Sequence, residues 1–425
     1  MKSKRIAKRI VYRLTKVGPY ISRMQDELAG LHEAVARLEL RNEQWAEEVR
    51  TLRGDPESMK IIWPVRKKDI VAADWQKPVK TPQRKGHKPP FKITWVVPPV
   101  GPVSGGHLDI FRTVEYLESQ GHRCQVHFYD PLETSSIEAI RENLPKYGSI
   151  KAELFYNQID NIADCDAIFA TNWHTAYPVF NYKGSAKKYY FVQDFEPYFD
   201  PVGSYSTFAE NTYRFGFRGL TLGRWLTEKL STEYGMKCDY FEQGVNPAHY
   251  NLTNPRVARK RILFYARPVT PRRGFELGVA ALEIFHKAHP DYEIVFVGWD
   301  ISPYEVPFPY INKSILNAEQ LNDLYNDCAA GMVLSLTNMS LLPLEMMAAG
   351  CSPIVNDGPQ TNLVSYGEHI RYAAAQPKAL AKALHEAVSV ASPTKQVKEL
   401  AAYAEQFRWN DSFKKINDIL IDELS

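Results

Sequence analysis

Short, nearly unbroken apolar runs alternate along this chain with segments whose apolar residues return every three or four positions. That alternation is the pattern of buried parallel strands joined by crossover helices. Strands are expected at 91–97 (FKITWVV), 123–129 (RCQVHFY), 167–171 (AIFAT), 189–193, 261–265, 291–298 (DYEIVFVG) and 329–336 (AAGMVLSL). Between the first two, Leu108, Phe111, Val114 and Leu117 share one helix face, and Gly121 closes that helix. Near the other end, Asn317 with Gln320 three residues on predicts a capped helix. From Thr337 to Asn356 a polar turn opens a short helix that stops at Gly350 and runs into an apolar strand. The fold class is therefore α/β, two Rossmann-like domains facing a cleft, with boundaries expected at 91–245 and 246–405. A final helix, 406–425, places Phe413, Ile416, Ile419 and Leu420 on one stripe.

The first 55 residues follow other periods. Residues 1–17 put Ile6, Ile10, Val11, Leu14 and Val17 on one stripe and fill the remainder with Lys and Arg. Such a basic amphipathic helix either lies in an anionic membrane surface, each basic residue contributing about 1 kcal/mol, or packs as an arm on the protein. Gly18 and Pro19 interrupt it, and a heptad follows: Ile21, Leu28, Val35, Asn42 and Val49 at one core position, Met24, Leu31, Leu38, Trp45 and Leu52 at the other. Asn42 at a core position favours parallel pairing in one register, so the heptad predicts either a homodimer or a small intrachain bundle. Residues 56–90, rich in Pro and Lys towards their end, read as an extended linker.

Composition narrows the class. A chain of 425 residues, 44% hydrophobic, supports two or three domains with sizeable cores. A net charge of +3 gives no ground for a nucleic-acid partner. Cys124, Cys165, Cys238, Cys328 and Cys351 are scattered without paired spacing, which points to a reducing cytoplasm rather than a disulfide framework or a zinc site. No apolar run approaches the roughly 20 residues of a membrane span, and a signal peptide's apolar core is missing, so a cytoplasmic protein, at most peripheral to a membrane, is expected.

The candidate chemistry gathers at the carboxyl ends of the expected strands, where open α/β sheets bind ligands. The helix that follows Thr337 offers unpaired N–H groups and a positive dipole end to an anion at Ser340, Leu341 and Leu342, with Glu345 farther in. Arg267, Arg272 and Arg273 crowd one strand-to-helix loop, and fixed guanidiniums at such a place suit a diphosphate. Gly105 and Gly106 either make a turn or let backbone N–H groups approach a phosphate or sugar. Gln193, Asp194 and Glu196 follow a strand and are expected to face the cleft. Asp164 and Asp166 resemble a metal-binding Asp-x-Asp pair but precede their strand, at the wrong end for a site; no metal is called for.

This order of elements over residues 91–425 resembles the GT-B glycosyltransferases of the retaining family-four type. There a GR…KG element grips the donor diphosphate; here Ala266–Arg267 and Arg273–Gly274 occupy those places, with arginine for lysine. The family also carries two glutamates seven residues apart. Glu345 matches the second, while Thr337 stands in place of the first and Asn338, Met339 and Ser340 replace a small glycine loop. The wording of YYFVQDFEPYFDPVGSYSTFAENTYRFGF (189–217) is similar to rhamnosyltransferases that extend bacterial surface polyrhamnan chains. The resemblance implies dTDP-β-L-rhamnose as donor, a lipid-linked rhamnan as acceptor, retention of configuration and no metal cofactor. It further implies that Arg267 and Arg273, with Asp194, act in catalysis, and that Glu345 holds the ribose. Lys313, at the head of the 313–316 loop, would read the base beside a donor site of Gly105, Gly106, Arg272, Ser340, Leu341 and Leu342. His107, Gln193 and Glu196 would orient the acceptor.

Overall fold

The computed structural model describes residues 61–79, 86–101, 104–255 and 258–425. The basic helix and the heptad lie outside the described residues. Strands β1 (Lys92–Val97), β2 (Arg123–Phe128), β3 (Glu153–Tyr156), β4 (Ala167–Ala170), β5 (Lys187–Val192), β6 (Arg218–Leu222) and β7 (Cys238–Phe241) form a parallel sheet in the order β3-β2-β1-β4-β5-β6-β7. A second parallel sheet, from β8 (Arg261–Tyr265), β9 (Glu293–Val297), β10 (Ile311–Asn312), β11 (Cys328–Val333), β12 (Ser352–Asn356) and β13 (Arg371–Ala373), runs β10-β9-β8-β11-β12-β13. Helices lie between successive strands, giving the two Rossmann-like domains of the GT-B arrangement.

The strand sequences explain why both faces are covered. On β1, Ile93, Trp95 and Val97 enter one core while Val96 enters the other, so alternate residues serve two helical layers and the strand reads as continuously apolar. Trp95 stacks on Phe169 at 4.1 Å and Phe169 on Tyr189 at 4.8 Å, an aromatic row across three neighbouring strands. In the second domain Ile262 and Phe264 face one core and Leu263 the other. Expected strand ends move inwards by a few residues: the 329–336 strand stops at Val333, which leaves Leu334 to Leu336 to turn into the cleft.

The 56–90 segment corrects the expectation of a linker. Its described residues 61–79 pack on the first domain: Lys67–Ala72 is helical, Val65 is buried, and buried Asp69 accepts from the Tyr129 hydroxyl at 3.1 Å and from Arg66 at 2.6 Å. The Val79 N–H donates to the Phe215 carbonyl at 2.9 Å. The Pro- and Lys-rich run lies towards the end of the segment, whereas 61–79 is largely apolar, and Val65, Ile70, Ala73 and Val79 pack against the first domain's core.

Two chain segments join the domains side by side. The Val245 N–H donates to the Phe407 carbonyl at 3.0 Å, and Gly244 lies so close to Arg408 and Trp409 that any Cβ would collide with their backbone. Beyond that junction the helix Trp409–Leu424 returns to the first domain. There Asn417 meets His122 at 2.8 Å, and Glu423 receives Arg218 at 2.7 Å, Lys187 at 2.8 Å and the Tyr189 hydroxyl at 3.0 Å. No helix among the described residues is long and apolar enough to cross a membrane.

Candidate active site

Each domain contributes the carboxyl ends of its strands to a shared cleft. After β8 the chain passes Ala266 and Arg267 and makes a 3-10 turn, Pro271–Arg273, before the helix Phe275–Ala288. The three arginines point to one region. Arg267 lies 5.8 Å from the Trp299 ring, and Arg272 lies over the Phe199 ring at 4.1 Å with its Nε 3.7 Å from the Asp194 carboxylate. Arg273 donates to the Ser335 hydroxyl at 2.8 Å. Burial lowers the pKa of Arg272 and Arg273, opposed by the nearby Asp194 charge. The Nε groups of Arg267 and Arg272 are buried without a hydrogen-bond partner. Buried guanidinium N–H groups left without acceptors are costly, and an anionic ligand between them would relieve that cost.

The turn after β11 lies beside the arginine loop, on the same side of the cleft. Asn356, at the end of β12, accepts from the Ser335 N–H at 2.7 Å and donates to the Ser335 carbonyl at 2.8 Å, which fixes the residue that holds Arg273. The Ser335 hydroxyl in turn donates to the Asn338 carbonyl. Thr337 then donates to the Asp194 carboxylate at 2.9 Å. Asn338 reaches across the cleft with its side-chain amide, donating to the carbonyls of Gln193 at 2.7 Å and Leu222 at 3.2 Å, where β5 and β6 end. Asp194 is accordingly enclosed: burial pushes its pKa up, while Arg272, Arg273 and the Thr337 hydrogen bond pull it down.

The helix Leu342–Ala348 starts beside this turn and is closed by Gly350 at φ +74°, a left-handed position that suits glycine. Ser340 accepts from the Leu342 N–H at 3.4 Å, and Leu341 stands at the N-cap. Glu345 falls in the first helical turn, nearer the N-terminus than its sequence spacing suggests. It is only 7% exposed and is pushed up to about 8 by burial, against the Arg112 charge and a hydrogen bond with Tyr250; Asp109 adds to the rise. Asp109 and Arg112 belong to the helix Gly105–Ser119 of the other domain, so this carboxyl also faces across the cleft. Lys313 lies just past β10, where its N–H donates to the Phe296 carbonyl at 2.9 Å, next to Ser314 at φ +51°.

On the first-domain side, Gly105 and Gly106 are not loop residues. Ser104 caps the helix and they form its first turn. Gly106 offers its carbonyl to the Gln193 amide at 3.0 Å, so Gln193 braces that helix. His107 is held at both ring nitrogens, by the Ser104 hydroxyl at 2.8 Å and the Pro98 carbonyl at 3.1 Å. Glu196 departs from the expectation that it faces the cleft. It is buried, accepts from the Trp173 N–H at 2.5 Å and so caps the helix Trp173–Asn181; burial pushes it up to about 8. Asp164 accepts from Ser185 and Asp166 from the Lys92 N–H, both at the far end of the sheet. Sequence reasoning overlooked Ser335, Asp109, Arg112, Tyr250 and Phe199, and it placed Asn338 only as a substitute in the glycine loop, without its partners across the cleft.

Comparison with known proteins agrees with the fold. Residues 260–385 match the family described as "WsaF, C-terminal domain". The O-antigen biosynthesis protein RfbC of Myxococcus xanthus is 34% identical over 309 residues, which is 70% of this chain and 24% of that protein. The chain thus spans about a quarter of the length of that relative. Among solved structures, Anabaena Alr3699/HepE in complex with UDP aligns with a TM-score of 0.61 at 15% identity, over 78% of this chain and 100% of its own. WaaG, a glycosyltransferase involved in lipopolysaccharide biosynthesis, aligns with a TM-score of 0.58 at 13% identity, over 77% and 99%. At such identities the structural likeness is one of fold.

Proposed function

We propose that this chain, folded as a GT-B glycosyltransferase, moves a sugar from a nucleoside diphosphate donor to a growing surface glycan, with retention of anomeric configuration. One observation carries the reading: three arginines converge at the cleft, two of them with buried Nε groups that lack a hydrogen-bond partner. Arg267 and Arg273 neutralise the charge that develops on the departing diphosphate, and Arg272 is drawn from Asp194 towards it. Stabilisation of the leaving group by these fixed cations needs no metal ion. The departing phosphate oxygen accepts the proton of the attacking hydroxyl, and Asp194 orients the sugars. The base is read beside Lys313, and Glu345, whose pKa burial raises to about 8, hydrogen-bonds the ribose. The phrasing of residues 189–217 supports dTDP-β-L-rhamnose as donor and a lipid-linked rhamnan as acceptor. The O-antigen relative supports the surface-glycan setting.

A UDP-sugar is the second reading for the donor, favoured by the UDP and UDP-glucose complexes of the Anabaena protein. Single-turnover reactions of the full chain with dTDP-rhamnose, UDP-glucose and a GDP-sugar, on a synthetic rhamnoside, decide between them. Rhamnosyl product of retained configuration, seen by NMR, supports the first; a glucosyl product supports the second. No product from any donor, despite nucleotide binding, would overturn the transferase reading.

A further inference from the structure

Large aromatic rings ordinarily bury, yet on the first-domain lip of the cleft Tyr198 and Phe199 keep 55% and 41% of their surface exposed. They end the 3-10 turn Glu196–Phe199, whose first two residues, Glu196 and Pro197, are buried. The turn is thus nailed down on its inner side, by Glu196 on the Trp173 N–H, and its outer side holds two rings towards solvent. Tyr198 stands edge-on to Phe195 at 4.6 Å, with the Lys229 ammonium 5.9 Å from its centroid. Phe199 carries the Arg272 guanidinium at 4.1 Å, and Arg272 is 3.7 Å from Asp194. On the facing lip Leu336, also 40% exposed, donates its N–H to the Arg272 carbonyl at 3.0 Å.

Exposed ring faces, two cations and a carboxylate therefore share one rim that leads to the arginine site. This mixture selects among ligands. A pyranose ring has an apolar face of C–H groups and a polar edge of hydroxyls, so it uses the ring faces and the charged groups together. An acyl chain would use only the rings and would offer no hydrogen-bonding group to Lys229 or to the Arg272–Asp194 pair. We propose that Tyr198 and Phe199 form a stacking platform for pyranose units of the acceptor glycan that lie beyond its accepting hydroxyl. The inference rests on the transferase reading for the identity of its ligand as an acceptor, while the platform itself is a carbohydrate site testable without turnover.

The experiment uses the full chain with a rhamnose trisaccharide and a glucose trisaccharide. Saturation-transfer NMR should show contact with at least one of them in the wild type, weakened in Tyr198→Ala and kept in Tyr198→Phe. In transfer assays Tyr198→Ala should raise the acceptor KM about five- to tenfold while kcat and nucleotide affinity stay within twofold. Unchanged trisaccharide contact and unchanged KM in Tyr198→Ala would overturn the platform. So would loss of binding to anionic vesicles with trisaccharide contact intact, since that result assigns the rim, with fully exposed Val202 beside it, to lipid. A wild type that binds trisaccharide but transfers nothing overturns the transferase reading and leaves the platform standing.

Discussion

Thr337 and Asp194, 143 residues apart in sequence, meet across the cleft through a 2.9 Å hydrogen bond from hydroxyl to carboxylate. The contact sets the carboxylate beside Arg272 and holds it away from solvent. A hydrogen bond to a charged group is worth about 1.5–3 kcal/mol, so Thr337→Val should lower kcat about 10- to 100-fold with nucleotide affinity little changed. Thr337→Ser should restore most of the rate. Equal kcat in Val and wild type would mean that Asp194 is placed by its other neighbours.

Arg273 is anchored by a neutral hydroxyl, and burial, with Arg272 and Arg267 beside it, lowers its pKa against the nearby Asp194 charge. Replacing it removes a desolvated cation, so the fold should tolerate Arg273→Ala with an unchanged or higher denaturation midpoint. Turnover should fall by about two orders of magnitude or more, the scale of losing one preorganised contact to transition-state charge. Turnover at the wild-type rate would remove Arg273 from the site.

Asn338 ties the second domain to the strand ends of the first by two hydrogen bonds from one amide. Asn338→Ala leaves the Gln193 and Leu222 carbonyls without that donor and should loosen the closed arrangement. Small-angle scattering without nucleotide is expected to give a larger radius of gyration than for the wild type. An identical scattering curve would show that the remaining contacts suffice to keep the domains together.

Glu196 makes stability depend on pH in a defined direction. The unfolded chain releases its proton near 4.5, whereas burial holds it in the folded chain to about 8. Between those values the folded state binds the extra proton, so raising pH costs roughly 1.4 kcal/mol per unit from this group. Its favourable contribution is complete below about 4.5 and lost as pH passes about 8. The denaturation midpoint of Glu196→Gln should therefore gain on the wild type as pH rises from 5 to 8. A constant gap between the two would show that Glu196 ionises normally.

Residues 1–17 bear the amphipathic pattern of a helix lying in an anionic surface. Removing them should abolish sedimentation with anionic vesicles and leave transfer to a soluble acceptor intact. Equal vesicle binding by both proteins would sink the membrane role.

Local signals carried the elements that local rules govern. The Asn317 cap, with its reciprocal bonds to Gln320 at 2.9 and 3.1 Å, and the turn at Gly350 were legible because each depends on residues a few positions apart. The arginine loop was legible because three cations in seven residues demand a ligand or water. Partners across the cleft were not, since nothing near Thr337 or Asn338 in sequence announces Asp194 or the ends of β5 and β6. Glu196 misled for a related reason: a carboxylate after a strand ordinarily faces solvent, and here Trp173, 23 residues earlier, draws it inwards. The 61–79 segment misled because the Pro- and Lys-rich run that follows it suggested a linker throughout, and composition does not say where Val65 packs.

The returning helix Trp409–Leu424 has a consequence for biogenesis. Arg218 and Lys187 are made well before Glu423, which lies 205 residues beyond Arg218, and until then Asp239, a half-buried partner of Arg218 on β7, is the carboxylate at that corner. Domains usually mature on the ribosome in order of synthesis, the amino-terminal one first. Here the first domain to emerge is the last to be completed, because the helix that finishes its packing is made after the second domain's strands.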